Sequence, residues 1–108
     1  MAERKMQTPE GIEKAALKKF LDSIGACHRW PVPSGYGRDD IDCHASILGV
    51  FWAIETKRSG EEPTPRQWRT LREWEKSGAC ISWGTATKII AEIKVWLTYR
   101  ASRSVRSG

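Results

Sequence analysis

Residues 49–60 read GVFWAIETKRSG, and this stretch constrains the fold more than any other. Val50, Phe51, Trp52, Ala53 and Ile54 form a short apolar run rich in β-branched and aromatic residues, bounded by Gly49 and Gly60. Such a run predicts a strand buried on both faces. Side chains alternate along a strand, so Ala53, Glu55 and Lys57 share one face while Trp52, Ile54 and Thr56 share the other. A buried strand that ends in a carboxylate and an ammonium on one face needs a partner for the carboxylate. Lys57 alone supplies the commonest answer, a salt bridge at a solvated strand end.

The upstream segment offers more. IDCHAS, residues 41–46, alternates apolar and polar residues and predicts a second strand. Asp40, Asp42, His44 and Ser46 fall on one face of it, and Ile41, Cys43 and Ala45 on the other. A tight turn at Leu48-Gly49 pairs this strand with 50–57 as an antiparallel hairpin. Asp42 then lies beside Glu55. Two adjacent carboxylates repel unless a cation lies between them. An all-oxygen site suits Mg²⁺ or Mn²⁺, with the backbone carbonyl of Thr56 as a further oxygen. A cation there acidifies water and neutralises charge on a phosphate, and Lys57 beside it either orients the water or stabilises the pentavalent state. Asp40 shares the face of Asp42 but is two residues farther from the turn, about 7 Å along the strand. It remains a rival ligand or a group that orients water.

The rest of the chain supplies elements around that hairpin. TPEGIEKAALKKFLDSIGA predicts a helix capped by Thr8, with Pro9 in its first turn, an apolar stripe through Ile12, Ala16, Phe20 and Ile24 flanked by Leu17 and Leu21, and a stop at Gly25. CHRWPV is a short strand candidate, and PSGYGRDD a loop. TPRQWRTLREWEKSG predicts a second helix from the Thr64 cap to Gly78, ACISW a fourth strand, and TATKIIAEIKVWLTYR a third helix with a stripe through Ile89, Ile90, Ile93, Trp96 and Leu97. Residues 1–7 and 101–108 read as flexible tails of a single domain spanning 1–108. The order α-β-β-β-α-β-α predicts a mixed α/β fold, a central mixed sheet flanked by helices.

Charge and cysteines narrow the partners. Lys and Arg number 18 against 13 Asp and Glu, a formal net charge of +5 that favours a polyanion. Six Trp residues are mostly core, with one or two available to stack on bases. No apolar run reaches the length of a membrane span, and the first ten residues lack an apolar signal region. Three cysteines without a C-x-x-C pair fit a reducing cytoplasm and buried thiols better than a zinc site or a disulfide framework.

Asp42, with ETK thirteen residues on at 55–57, resembles the PD-(D/E)XK nuclease signature. The wider pattern, TPEG at 8–11, GYGRDDIDC at 35–43, GVFWAIETKRSGEEPTPRQ at 49–67 and SGA at 77–79, is similar to the VRR-NUC nucleases, particularly stand-alone phage and prophage forms. The resemblance covers roughly residues 8 to 84. It implies a restriction-endonuclease-like core, divalent-metal catalysis, branched DNA such as flaps or four-way junctions as substrate, a homodimer, and a bacterial or phage-infected cytoplasm. Asp42 and Glu55 would hold the metal, Lys57 would be the catalytic lysine, Gln67 the helix glutamine and Glu10 the first-helix glutamate. The chain departs from the pattern at Ile41, where Pro is usual, and at Val50, where a basic residue is usual.

Several of these residues carry simpler readings. Thr64-Pro65-Arg66-Gln67 fits a capping box, in which Gln67 serves its own helix. Glu10 lies in a first turn, where the helix dipole favours any carboxylate. Arg38, Arg58 and Arg66, and less directly Arg29 and Arg69, are candidate phosphate contacts or solvated charges. His44 is either near the metal or a satisfied strand histidine. A DNA-binding module that keeps the fold without catalysis is the rival function.

Overall fold

The computed structural model describes residues 8–31 and 41–107. Arg38, Asp39, Asp40 and the loop glycines Gly35 and Gly37 lie outside the described residues. The elements are α1 (Pro9–Ser23), β1 (Cys27–Arg29), β2 (Cys43–Ile47), β3 (Val50–Thr56), α2 (Pro65–Lys76), β4 (Cys80–Gly84) and α3 (Ala86–Ser107). This is the expected order, built on a mixed four-stranded sheet in the order β1-β2-β3-β4. β1, β2 and β3 run antiparallel in turn, and β4 joins β3 in parallel after the α2 crossover.

The β2–β3 hairpin has the predicted register. Ile47 pairs with Val50, and the pairing continues to Cys43 opposite Ile54. Its two-residue turn places both Leu48 and Gly49 at positive φ, 54° and 81°. This handedness matches the twist of the flanking strands, and it suits Gly far better than Leu. Leu48 is 65% exposed, so no packing offsets its strained backbone.

Helices cover both faces of the sheet. Leu17 and Leu21 of α1 and Ile89 and Ile93 of α3 are fully buried with Cys43, Ala45, Ile47, Trp52 and Ile54. On the other face Leu71 of α2 packs with Ile41 and Ala53, and Phe51, Trp68, Trp74, Ile81 and Trp83 close the rim. Each fully buried Leu or Ile stabilises by roughly 1.5–3 kcal/mol, so α1 is held firmly by its second half. The carboxylate of Glu13 adds a tie, accepting the Ala86 N–H at 2.6 Å at the start of α3.

Four sequence expectations are corrected. The α1 stripe does not run through Ile12 and Ala16, which are exposed; the burial falls on Leu17 and Leu21, with Phe20 and Ile24 partly buried beside them. Ile41 does not share a face with Cys43, because the chain bends at Asp42 and β2 starts one residue later. Residues 101–107, expected to lie outside the third helix, continue α3 to Ser107. The segment holds no Gly or Pro before Gly108, and Arg103 reaches the Tyr99 hydroxyl one turn back at 2.9 Å. Cys27 is exposed rather than buried, since β1 is an edge strand.

Candidate functional site

The bend at Asp42 is the key to the site. Beyond the Cys43–Ile54 pair the two strands part, and side chains replace the ladder. The Asp42 N–H donates to Glu55 Oε1 at 3.0 Å, and the Thr56 N–H donates to Asp42 Oδ2 at 3.0 Å. The Thr56 hydroxyl adds a second bond to the same oxygen at 2.5 Å. Each carboxylate is thus fixed by the backbone of the opposite strand. Thr56, expected to matter through its carbonyl, acts here through its N–H and hydroxyl.

Glu55 is 1% exposed. Its second oxygen accepts from Gln67 Nε2 at 2.9 Å and lies 3.6 Å from Lys57 Nζ. Gln67 therefore both bonds Glu55 and serves its own helix start. Its Oε1 accepts the Thr64 N–H at 2.9 Å, and its own N–H donates to Thr64 Oγ1 at 3.1 Å, completing the capping box. The amide's oxygen is spent on the helix start, which turns its nitrogen toward Glu55.

Glu10, from the first turn of α1, completes the cluster. Glu10, Asp42 and Glu55 each offer an oxygen, all within 4.8 Å of one another. Among the described residues this is the group able to hold a metal, and no cysteine–histidine set accompanies it. The donors are all oxygen, as Mg²⁺ or Mn²⁺ requires. The electrostatics agree. Burial, and then the neighbouring Asp42 charge, push the Glu55 carboxyl from 4.5 up to about 8, against the pull of Lys57. A site that strains to hold its negative charge favours a cation. The donor set and its geometry fit a divalent ion.

Lys14 was missed by sequence reasoning. It lies one turn beyond Glu10 on α1, and its Nζ is 3.5 Å from Asp42 Oδ1. The signal was present, since residues four apart share a helix face. The other basic candidates are less central. Arg58 is exposed and bonds Glu61 through Nε and Nη2 at 3.1 and 2.6 Å. Arg66, Arg69 and Arg29 are exposed. His44 is neither at the cluster nor satisfied. Its ring packs against Phe51 and Trp74, with Nε2 buried and without a hydrogen-bond partner among the described residues. The Cys43 thiol, pushed up to about 12 by burial and by Asp42, is no nucleophile.

Among the described residues, three carboxylates, two lysines and a glutamine meet at the splayed end of the mixed sheet and define an acidic-site α/β domain. Its fold is that of a VRR_NUC domain: a solved structure so described superposes with a TM-score of 0.68 and 24% identity, over 80% of this chain and 94% of its own. No family model and no characterised protein sequence matches the chain. Among the described residues no helix is long and apolar enough to cross a membrane.

Proposed function

We propose that the protein is a Mg²⁺- or Mn²⁺-dependent endonuclease that hydrolyses phosphodiester bonds in DNA, with branched DNA as its preferred substrate and a homodimer as its working form. The observation that carries the reading is the convergence of Glu10, Asp42 and Glu55 within 4.8 Å, flanked by Lys57 and Gln67. The VRR_NUC fold and the net charge of +5 support it. The branched substrate and the dimer rest on the sequence resemblance and on the small surface of a 108-residue chain.

Glu10, Asp42 and Glu55 would hold the cation, with the Thr56 carbonyl as a further candidate. Bound there, the ion would supply Lewis-acid charge to a phosphate oxygen and acidify water. The chain's own residues do the positioning. Thr56 fixes Asp42 through Oδ2, and Gln67 fixes Glu55 through Oε2. Both carboxylates are therefore held before substrate arrives, which spares reorganisation in the reaction. Lys57, its side chain 12% exposed, keeps a cation in a poorly hydrated spot where charge on a pentavalent phosphorus is best stabilised. Arg38, Arg58 and Arg66 are candidate contacts to the flanking phosphates.

A panel of labelled single strands, flaps and four-way junctions, incubated with Mg²⁺, Mn²⁺ or EDTA, tests this reading. Cutting of flaps or junctions with either ion and none in EDTA is expected. Robust cutting by pure protein in EDTA overturns the metal dependence. Binding without cutting under every condition favours the DNA-binding module instead.

A further inference from the structure

Among the described residues two lysines approach the carboxylate cluster, and they differ in kind. Lys57 comes from the sheet, with its side chain 12% exposed and its ammonium at Glu55. Lys14 comes from the helix surface, with its side chain 37% exposed and its ammonium 3.5 Å from Asp42 Oδ1. The other Asp42 oxygen is fully engaged by Thr56. Oδ1 is therefore the Asp42 atom left to face a cation, and Lys14 sits on it.

We infer that Lys14 is an exchangeable counter-ion of Asp42: it yields Oδ1 to the divalent cation and then contacts a phosphate of the bound DNA. This rests on the nuclease reading above. The reasoning is electrostatic. A divalent ion on Oδ1 places like charge within a few ångströms of the Lys14 ammonium and repels it. A half-exposed lysine on a four-carbon stem swings away at little cost, whereas the enclosed Lys57 does not. Glu10 lies one turn away on the same helix, so the displaced ammonium stays at the rim of the site, within reach of a phosphate that the cation would hold. Lys14 thus keeps the acidic cluster tolerable before the ion binds and adds a phosphate contact afterwards.

The test uses the full chain as wild type, Lys14→Met and Lys14→Arg, each checked for helical circular dichroism. Mn²⁺ binding is measured by calorimetry. Flap-DNA binding is measured across a salt series, once with Ca²⁺ to hold the site without turnover and once in EDTA. Removing the competing ammonium should tighten Mn²⁺ binding about three- to fivefold in Lys14→Met, the scale of a partly exposed ion pair. Lys14→Arg should stay near wild type. In Ca²⁺ the slope of log affinity against log salt should shrink by about one in Lys14→Met, as for one lost phosphate contact, and in EDTA it should not change. Unchanged or weaker Mn²⁺ binding in Lys14→Met overturns the competition. A slope change of equal size in EDTA overturns the exchange, since Lys14 would then contact DNA without leaving Asp42. If wild-type protein binds no Mn²⁺ at all, the nuclease reading fails first and this inference with it.

Discussion

Glu55 makes the stability of the protein depend on pH in an unusual direction. An exposed glutamate has lost its proton by neutral pH, but burial and Asp42 push Glu55 up to about 8. Between 4.5 and about 8 the folded state therefore holds a proton that the unfolded state has released. Stability falls wherever the folded state binds more protons as pH rises, so it should decline across this window and level off above it. At 1.36 kcal/mol per pH unit the decline has a ceiling of about 5 kcal/mol, and relaxation of the site brings it to a few. That is a large share of the roughly 5–15 kcal/mol that holds a small domain together. Urea unfolding in EDTA at half-unit steps from pH 5.5 to 8.5 reads it directly. Glu55→Gln, which keeps the shape but cannot titrate, should flatten this part of the slope, while other groups titrate alike in both proteins. Saturating Mn²⁺ should restore most of the lost stability at pH 8 and little at pH 5.5. A wild-type slope equal to that of Glu55→Gln, or a rise in stability with pH relative to it, would refute the reasoning.

Further outcomes follow from the same geometry. Lys57→Ala should abolish cutting while leaving Mn²⁺ affinity within a few fold, because the ammonium matters most in the transition state; near-normal turnover would reduce it to a salt-bridge partner. Gln67→Glu keeps the capping acceptor but sets a carboxyl 2.9 Å from Glu55 Oε2, so cutting should fall at least about tenfold with the α2 helix intact by circular dichroism. Gln67→Ala should cost about 1 kcal/mol or more in urea unfolding, since it removes the side-chain acceptor of the Thr64 N–H together with the bond to Glu55, while the Thr64 cap itself stays. Leu48→Asn should raise stability by about 0.5–1 kcal/mol by relieving the left-handed backbone at φ 54°; a lower urea midpoint would show that Leu48 packs against something after all.

The hairpin was legible because its signals are local. A glycine fixes the turn, the apolar run fixes the strand, and a period of two then brings Asp42 opposite Glu55 with no knowledge of the rest of the chain. Gln67 was legible as a cap for the same reason, but its bond to Glu55 spans the packing of α2 on the sheet, which the T-x-x-Q pattern does not encode. The bend at Asp42 was hidden. Alternation assigns Ile41 to the face of Cys43, and only the exchange of ladder bonds for side-chain bonds with Glu55 and Thr56 turns it the other way. Lys14 and Glu13 were hidden for a third reason. Both sit on an amphipathic helix, where charges are ordinary solvated residues until tertiary packing aims one at Asp42 and the other at the start of α3. The helical form of 101–107 is hidden because a basic segment of small and polar residues reads as a tail, although nothing in it breaks a helix.

The most direct test is cutting of one labelled flap substrate by wild type and by Asp42→Asn, in Mn²⁺ and in EDTA. Asn keeps the size of the side chain, but it removes the charge that the Asp42 carboxylate presents beside Glu10 and Glu55. Wild type should cut only with Mn²⁺, and Asp42→Asn should lose that cutting while remaining folded by circular dichroism. Asp40→Asn, run alongside, should retain much of it. If folded Asp42→Asn cuts as well as wild type, or Asp40→Asn is the one that fails, the splayed strand end at Asp42 and Glu55 is not the site of chemistry.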